Sequence, residues 1–379
     1  MNDIEIDLKN LLDQAIISHV FPSYAAGICV LGKYNKKESL IISGSNKNIT
    51  GKNKELSRPY YDLASLTKPL ATALIMVSLV GVGKVKLTDP LEQYLPGLPE
   101  DKRWITLFQL LNHSSGLPAH RPYFESLRTL PAEARREAVL AMLLNEPLAS
   151  HPGENVVYSD LGFILLGYII EEKSKQTLDR FVAQSVYAPL GLEGRIVFNP
   201  LAVKTVSDEG CFAPTEVCPW RGRVLQGEVH DDNARVMGGV AGHAGLFGAT
   251  AAVLTLTRFL LDLIKGRAEH PCIEARDLRE AVCRCGLPGS TWGLGFDTPS
   301  ETQSSAGTLL SRLSFGHLGY TGTSFWCDPE RDLAVVLFTN RVHPSRENAL
   351  IRQFRPRFHD AVARCCDVSA AAGSGQKFA

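Results

Sequence analysis

Apolar residues run almost without interruption through residues 70–80 and again through residues 161–170. A helix that is apolar nearly all round is buried in a core, so both runs predict buried helices. From about Leu8 to Val20, apolar residues recur at a helical period between polar ones, which predicts an amphipathic helix. The pattern therefore predicts one helix at the surface of a core and two helices inside it.

Strand patterns occupy both ends of the chain. Residues 25–31 and 39–43 predict a hairpin across residues 32–37. Near the other end, residues 317–329 lead into residues 333–339, and this stretch predicts two strands around a Pro-containing turn. Two strand pairs, one from each end, are therefore available to a single sheet.

The middle of the chain has a different character. Strands return only after about Thr308, and the preceding part is mostly helical segments and long loops, including an irregular stretch from Asn199 to Asn233. This arrangement predicts an α/β (α+β) fold in which a central antiparallel sheet is flanked by helices. We expect the sheet domain to comprise residues 1–88 and 242–379, with a mostly helical domain inserted at residues 89–241.

The first apolar run is preceded by Ser65-Leu66-Thr67-Lys68. A helix brings positions i and i+3 onto one face, so the Lys68 amine can reach the Ser65 hydroxyl. Unpaired N–H groups in a first helical turn favour negative charge that develops near the serine. A lysine kept dry loses its proton more easily and can act as a base, so this pair has the outline of an activated nucleophile.

A Ser-x-x-Lys pair alone is a weak signal. Pro69 also disfavours the helical conformation at Lys68, the residue before it. Two further motifs follow in the chain: Tyr158-Ser159-Asp160, at the entrance to the second apolar run, and His317-Leu318-Gly319. Chance counterparts of the single motifs occur at Ser374-Gly375-Gln376-Lys377, Tyr60-Tyr61-Asp62, His151-Pro152-Gly153 and His243-Ala244-Gly245. The order and context of the motifs therefore carry the specificity.

Ser-x-x-Lys, a variant of Tyr-x-Asn, and His-x-Gly in this order resemble the motifs of the penicillin-recognising serine hydrolases. The chain is most similar to the class C β-lactamases, the D-Ala-D-Ala carboxypeptidases and the related esterases. The likeness runs from about Val20 to about Arg364 and includes the flanking residues 62–64, 110–118 and 238–247. It implies a β-lactamase/transpeptidase-like fold with the active site in a cleft between the sheet domain and the inserted helical domain.

The resemblance also implies a role for each motif residue. Ser65 would be the acylated nucleophile, Lys68 its proton-accepting neighbour, and Tyr158 the partner base that later protonates the leaving group. The backbone N–H groups of Ser65 and Tyr320 would form the oxyanion hole. The substrate-binding residues would be Asp160, His317 and Gly319.

Two of these positions depart from the family pattern. Asp160 replaces the usual asparagine, so an amide donor becomes an acceptor-only carboxylate. His317 replaces the common lysine and would bind a carboxylate when protonated or donate a neutral hydrogen bond when not. Both departures weaken the expectation that β-lactams are the natural substrate.

Other polar segments have simpler interpretations. The glycines of residues 238–245 favour close backbone packing over phosphate binding, because no βαβ context accompanies them. His230-Asp231-Asp232-Asn233 is typical of a solvated turn, with a metal site or a cleft wall as the alternatives. His113 and Ser115 follow an amphipathic helix, where such residues cap and turn the chain. We predict no metal and no cofactor.

The composition excludes some classes of function. The chain has 40 basic and 40 acidic residues, so no overall field would attract nucleic acid or a membrane surface. No uninterrupted apolar stretch reaches about 20 residues, and the acidic start lacks the features of a secretory leader. The 9 cysteines show no zinc-ribbon spacing and are typical of buried thiols in a reducing compartment. We expect a cytoplasmic protein without a membrane segment, with a periplasmic one as the alternative if a leader has been removed from the chain.

The sequence thus leads to a serine hydrolase that forms an acyl-enzyme with a small molecule or short peptide. The expected substrates are D-amino-acid peptides first, simple carboxylic esters second and β-lactams third. The alternative is a catalytically silent relative that binds a peptide or metabolite in the same cleft. Ser65, Lys68 and Tyr158 together disfavour it, because binding alone does not need all three.

Overall fold

The computed structural model describes residues 2–31, 37–46, 59–95, 97–203, 206 and 211–374. Its strands are β1 (Ser23–Leu31), β2 (Lys37–Ser45), β3 (Tyr60–Asp62), β4 (Ile196–Phe198), β5 (Val217–Cys218), β6 (Arg223–Val224), β7 (Leu246–Ala249), β8 (Phe315–Leu318), β9 (Ser324–Asp328) and β10 (Leu333–Thr339). Its α-helices are α1 (Asn2–Ile17), α2 (Leu74–Gly81), α3 (Leu107–Leu111), α4 (Phe124–Leu127), α5 (Ala132–Leu144), α6 (Asp160–Ser174), α7 (Leu178–Val182), α8 (Asp232–Val236), α9 (Thr250–Ile264), α10 (Ala275–Val282) and α11 (Ile351–Ser374).

The central sheet has five strands in the order β2-β1-β10-β9-β8. Neighbouring strands are antiparallel throughout, with Gly27 opposite Val336 and Val335 opposite Trp326. Strands β1 and β2, from the first part of the chain, thus join β8, β9 and β10, from its last part. The predicted antiparallel sheet built from both ends of the chain is confirmed.

Side chains of β10 alternate between two hydrophobic clusters, as the period of a strand requires. Leu333, Val335 and Leu337 join a cluster with α1 and α11. Ala334, Val336 and Phe338 join the larger cluster on the other face, which includes α9 and the middle helices. Each fully buried large side chain stabilises the fold by about 1.5–3 kcal/mol relative to exposure. Helices therefore cover both faces of the sheet.

The expectation that strands return only after about Thr308 is wrong. A three-stranded sheet of β3, β7 and β4 and a hairpin of β5 and β6 lie earlier in the chain. The hairpin falls inside the stretch from Asn199 to Asn233 that was expected to be irregular. These strands are two to four residues long. Such lengths are too short to show a period-2 pattern in the sequence. The proposed domain boundaries stay a prediction.

The first apolar run forms a continuous helical stretch of mixed geometry. A 3₁₀ turn at Ala64–Leu66 leads into a π-helical segment at Lys68–Ala73 and then into α2. Within the described residues, Ala64–Gly81 passes a test of length and composition for a membrane-crossing helix, and 83% of it is buried inside the fold. A core helix passes the same test, so the expected lack of a membrane segment stays a prediction.

Candidate active site

Ser65 lies just after a sharp bend of the backbone. Ala64 has a positive φ of 48°, a conformation that costs a non-glycine residue about 1–2 kcal/mol. The bend is held by the buried Asp62, whose Oδ1 accepts from the Ala64 N–H at 2.8 Å. Thr67 Oγ1 donates to the Ala64 carbonyl at 2.6 Å and accepts from the Leu246 N–H at 3.1 Å. These bonds fix the serine at the start of the helical stretch.

Lys68 is fully buried, and its three ammonium hydrogens have three acceptors. Its Nζ lies 3.1 Å from Ser65 Oγ, 2.7 Å from Asp160 Oδ1 and 3.4 Å from the His243 carbonyl oxygen. Burial lowers the pKa of Lys68, but the Asp160 carboxylate, together with the Tyr158 phenol, raises it more, and the net shift is upward. The resting amine is therefore protonated, unlike the free base expected from a dry lysine.

Pro69 does not prevent the contact between Ser65 and Lys68. Pro69 has no backbone N–H to donate, and the chain around it forms a π-helical segment at Lys68–Ala73 after the 3₁₀ turn. The Thr72 hydroxyl donates to the Gly242 carbonyl at 2.6 Å and ties this segment to the glycine-rich stretch. A Cβ on Gly242 would lie 2.0 Å from the Phe163 carbonyl oxygen, so the predicted close backbone packing is confirmed.

Tyr158 approaches Lys68 from the segment before α6. Ser159 is the N-cap of this helix and accepts from the Gly162 N–H at 3.3 Å. The Lys68 Nζ lies 4.7 Å from the centroid of the Tyr158 ring. Burial raises the pKa of the phenol, whereas the Lys68 charge and hydrogen bonds with Lys68 and Ser65 lower it, and the net shift is upward. The Tyr158 ring thus lies beside Lys68, and the phenol keeps its proton at rest.

Asp160 is the first residue of α6, and its carboxylate joins two sides of the site. Oδ1 accepts from Lys68, and Oδ2 lies 3.5 Å from Nδ1 of the half-exposed His120. Burial raises the pKa of the Asp160 carboxyl, but Lys68 and the His120 hydrogen bond outweigh it and hold the pKa below its usual range. The structure thus assigns to this predicted substrate-binding residue an ion pair with the lysine.

His317 is buried near the same group, with its ring centroid 5.9 Å from that of Tyr158. Nδ1 lies 2.8 Å from the Leu318 carbonyl oxygen, and a carbonyl can only accept, so the ring hydrogen is on Nδ1. Burial and Lys68 lower the pKa of His317 to about 3, so the ring is neutral. Nε2 is therefore an acceptor. Neither expected role, a cation or a neutral donor toward substrate, fits this tautomer.

The turn after β8 clamps the backbone just before Ser65. Thr321 Oγ1 donates to the Asp62 carbonyl at 2.7 Å, and Thr323 Oγ1 donates to the Leu63 carbonyl at 3.1 Å. A Cβ on Gly319 would lie 2.0 Å from Thr323 Oγ1 and 2.7 Å from the Leu63 oxygen, so only glycine fits. The Tyr320 N–H has no acceptor in the described part of the chain. An oxyanion-hole donor must be free in this way.

Several residues near the site were not assigned to it from the sequence. His113, expected to cap or turn the chain, and Trp292 pack against the Tyr158 ring with centroids at 4.7 and 5.2 Å. His230, Asp232 and Asn233 are buried rather than part of a solvated turn. Within the described ranges, no three His, Cys, Asp or Glu side chains gather in a way that could hold a metal ion.

The comparisons with known proteins identify the family and the fold of this chain. The sequence profile of the Beta-lactamase family matches residues 44–355. The chain therefore belongs to the beta-lactamase family, which comprises serine hydrolases with the β-lactamase/transpeptidase-like fold. The family resemblance and the fold class predicted from the sequence are confirmed.

Individual relatives show the same likeness. A protein of Escherichia coli (strain K12) named "Putative D-alanyl-D-alanine carboxypeptidase" is 33% identical over 310 residues, which cover 75% of this chain and 69% of that protein. EstCE1, described as a hydrolase with promiscuous acyltransferase activity, has a TM-score of 0.71 at 18% identity and covers 96% of this chain and 99% of its own. Simvastatin Synthase (LovD) from Aspergillus terreus has a TM-score of 0.69 at 17% identity, with 96% and 98% covered. At these identities the two structures show the fold alone.

Proposed function

We propose that this protein is a serine hydrolase that forms an acyl-enzyme at Ser65 and cleaves small amides or esters. The observation that carries the proposal is the contact of Ser65 Oγ with Lys68 Nζ at 3.1 Å. The Tyr158 ring lies beside the same ammonium, with its centroid 4.7 Å from Lys68 Nζ. A hydroxyl next to an ammonium and a phenol at the start of a buried helix has its proton-transfer partners close by.

Acylation requires that the Lys68–Tyr158 pair first lose one proton. Both side chains are protonated at rest, because the pKa of each is raised. Once the phenol is ionised beside the Lys68 ammonium, it accepts the Ser65 proton while Oγ bonds to the substrate carbonyl carbon. The carbonyl oxygen gains the electron pair, and the Ser65 and Tyr320 N–H groups would stabilise it. This assignment makes Tyr158 the immediate base and Lys68 its charge partner.

The same phenol then completes the cycle. The tetrahedral intermediate collapses as Tyr158 returns the proton to the leaving amine or alcohol, and the acyl group remains on Ser65. Water attacks the acyl-enzyme, gives one proton to Tyr158, and Ser65 Oγ leaves with that proton. Acid–base help of this kind contributes about 100- to 10,000-fold to a rate.

For the substrate class, D-amino-acid peptides come first. A relative at 33% identity is named "Putative D-alanyl-D-alanine carboxypeptidase", which supports this order. Simple carboxylic esters come second and β-lactams third. This chain has a neutral His317 where the family pattern commonly has lysine, and an ion-paired Asp160 where it has asparagine. For this reason β-lactams rank last.

A direct test measures hydrolysis of a D-Ala-D-Ala peptide, 4-nitrophenyl butyrate and nitrocefin by the purified protein, with Ser65→Ala as the matched control. We expect turnover of the peptide or the ester that Ser65→Ala abolishes. Turnover that survives in Ser65→Ala would reject the proposed nucleophile. Binding of the peptide without turnover of any of the three substrates would instead favour the silent binder.

A further inference from the structure

His113 holds the backbone on both sides of Tyr158. Its carbonyl oxygen accepts from the Val157 N–H at 2.9 Å, and its ring Nδ1 accepts from the Ser159 N–H at 3.1 Å. Val157 and Ser159, which flank Tyr158, are thus both hydrogen-bonded to His113, which lies 45 positions before Tyr158. Side-chain direction at Tyr158 depends on these two bonds, since they fix the backbone at each of its ends.

The His113 ring also supports the phenol ring directly. The two ring centroids are 4.7 Å apart, and Trp292 contacts both, at 4.6 Å from His113 and 5.2 Å from Tyr158. His113 itself is 1% exposed. Contacts between aromatic rings at such distances add stability beyond that of burial alone. The imidazole is therefore part of the wall against which Tyr158 is oriented.

The hydrogen-bond pattern requires a neutral imidazole. Ser159 N–H can donate only to a ring nitrogen that carries no hydrogen, so the single ring hydrogen is on Nε2. Burial lowers the pKa of His113 well below its ordinary value, and the Lys68 charge acts in the same direction. His113 also has a positive φ of 64°, which asparagine tolerates better than other side chains. Asparagine can therefore keep both the acceptor and the backbone conformation.

We infer that His113 is a positioning residue for Tyr158: it keeps the phenol aligned for proton transfer to the leaving group, and it does so without touching substrate. The inference rests on the proposed function, because it assigns the transfer to Tyr158. A displacement of about 1 Å at a reacting group costs about 100-fold in rate. The loss should be greatest where the leaving group most needs a proton.

The experiment compares 4-nitrophenyl and 4-methoxyphenyl butyrate, which have a good and a poor leaving group. His113→Leu removes the acceptor and His113→Asn retains it, and each is made with Tyr158 and with Tyr158→Phe. We expect His113→Leu to lower kcat/KM about 100-fold for the poor leaving group, with a smaller loss for the good one and little change in KM. His113→Asn should recover most of the loss. With Tyr158→Phe, neither substitution should reduce kcat/KM further.

His359→Leu is the matched control, since it also removes a fully buried imidazole whose Nδ1 bonds a backbone carbonyl, that of Ser305 at 2.8 Å. It should lower stability without changing the kcat/KM ratio of the two esters. If His113→Leu does not fold, the test uses His113→Asn alone. Its smaller loss of kcat/KM must then disappear when Tyr158→Phe is also present. Equal losses with and without the phenol, or for both esters, would overturn the inference while leaving Ser65 as nucleophile. If the wild-type protein shows no turnover and forms no Ser65 adduct with a fluorophosphonate, the proposed function is overturned as well.

Discussion

Asp160 Oδ1 lies 2.7 Å from Lys68 Nζ, and this ion pair determines the protonation state of the site. The Lys68 side chain is fully buried, whereas that of Asp160 is 19% exposed. Burial alone would favour a neutral amine, but the carboxylate raises the pKa of Lys68. The same carboxylate raises the pKa of Tyr158. The carboxylate thus opposes the effect of burial at the Lys68 amine and adds to the effect of burial at the Tyr158 phenol.

Asp160→Asn should move the rising limb of the pH–rate profile to lower pH. Activity requires the loss of one proton from the Lys68–Tyr158 pair, so it rises with pH, and removing the carboxylate lowers the apparent pKa of that pair. The measurement is kcat/KM for 4-nitrophenyl butyrate from about pH 5 to about pH 10. Glu172→Gln, which removes an exposed carboxylate paired with Lys175, is the control and should leave the limb in place. A limb that stays, or moves to higher pH, in Asp160→Asn contradicts this role.

Lys68→Ala should slow acylation by about 100- to 10,000-fold. It should also lower stability by about 3–5 kcal/mol, because the largely buried Asp160 carboxylate loses the charge of its lysine partner. The double variant Lys68→Ala/Asp160→Asn should regain stability but not activity. Chemical denaturation and single-turnover acylation separate the two effects. Recovery of acylation in the double variant would show that Lys68 has only a structural role.

Gly319→Ala should impair the site through its backbone. The added Cβ would meet Thr323 Oγ1 at 2.0 Å and the Leu63 oxygen at 2.7 Å, so the turn that carries Tyr320 must shift. We expect a loss of kcat/KM of about 100-fold, as for other misplaced oxyanion donors. Gly162→Ala is the control, because its nearest atom would be at an ordinary 3.6 Å. Equal turnover by the two variants would remove the turn from the catalytic geometry.

His317 should make the protein less stable in acid. Its pKa is about 3 in the folded protein and about 6.5 when unfolded, so the unfolded chain binds the extra proton between these values. Stability is lost as pH falls through this window, by at most about 1.4 kcal/mol per pH unit from this group. His317→Asn should show a correspondingly shallower loss in denaturant unfolding between about pH 6 and about pH 4. An unchanged slope would mean that the ring is protonated in the folded protein.

Much of the fold could be predicted because its signals are local and long. The apolar runs that became the stretch from Ala64 to Gly81 and helix α6 extend over several turns, and β1 and β10 are long enough to show strand patterns. Strands β3 to β7 were missed, because two to four residues carry too little pattern. Their pairing depends on contacts between distant parts of the chain.

The site divides in the same way. The order and context of the motifs, and the family resemblance they carry, singled out Ser65, Lys68 and Tyr158, and in the structure Lys68 lies beside both other side chains. The ion pair of Asp160 with Lys68 was not predictable, because it depends on which way a carboxylate points at the start of α6. The tautomer of His317 depends on a single bond to the Leu318 carbonyl, which no sequence pattern encodes.

The central claim is that Ser65 Oγ is the nucleophile, made reactive by its contacts with Lys68 and Tyr158. Intact-protein mass spectrometry after treatment with a fluorophosphonate, followed by peptide mapping, tests it most directly. We predict one covalent adduct per chain, located on Ser65, absent in Ser65→Ala and formed much more slowly in Tyr158→Phe. No adduct on the wild-type protein, or an adduct on another residue, would contradict the claim.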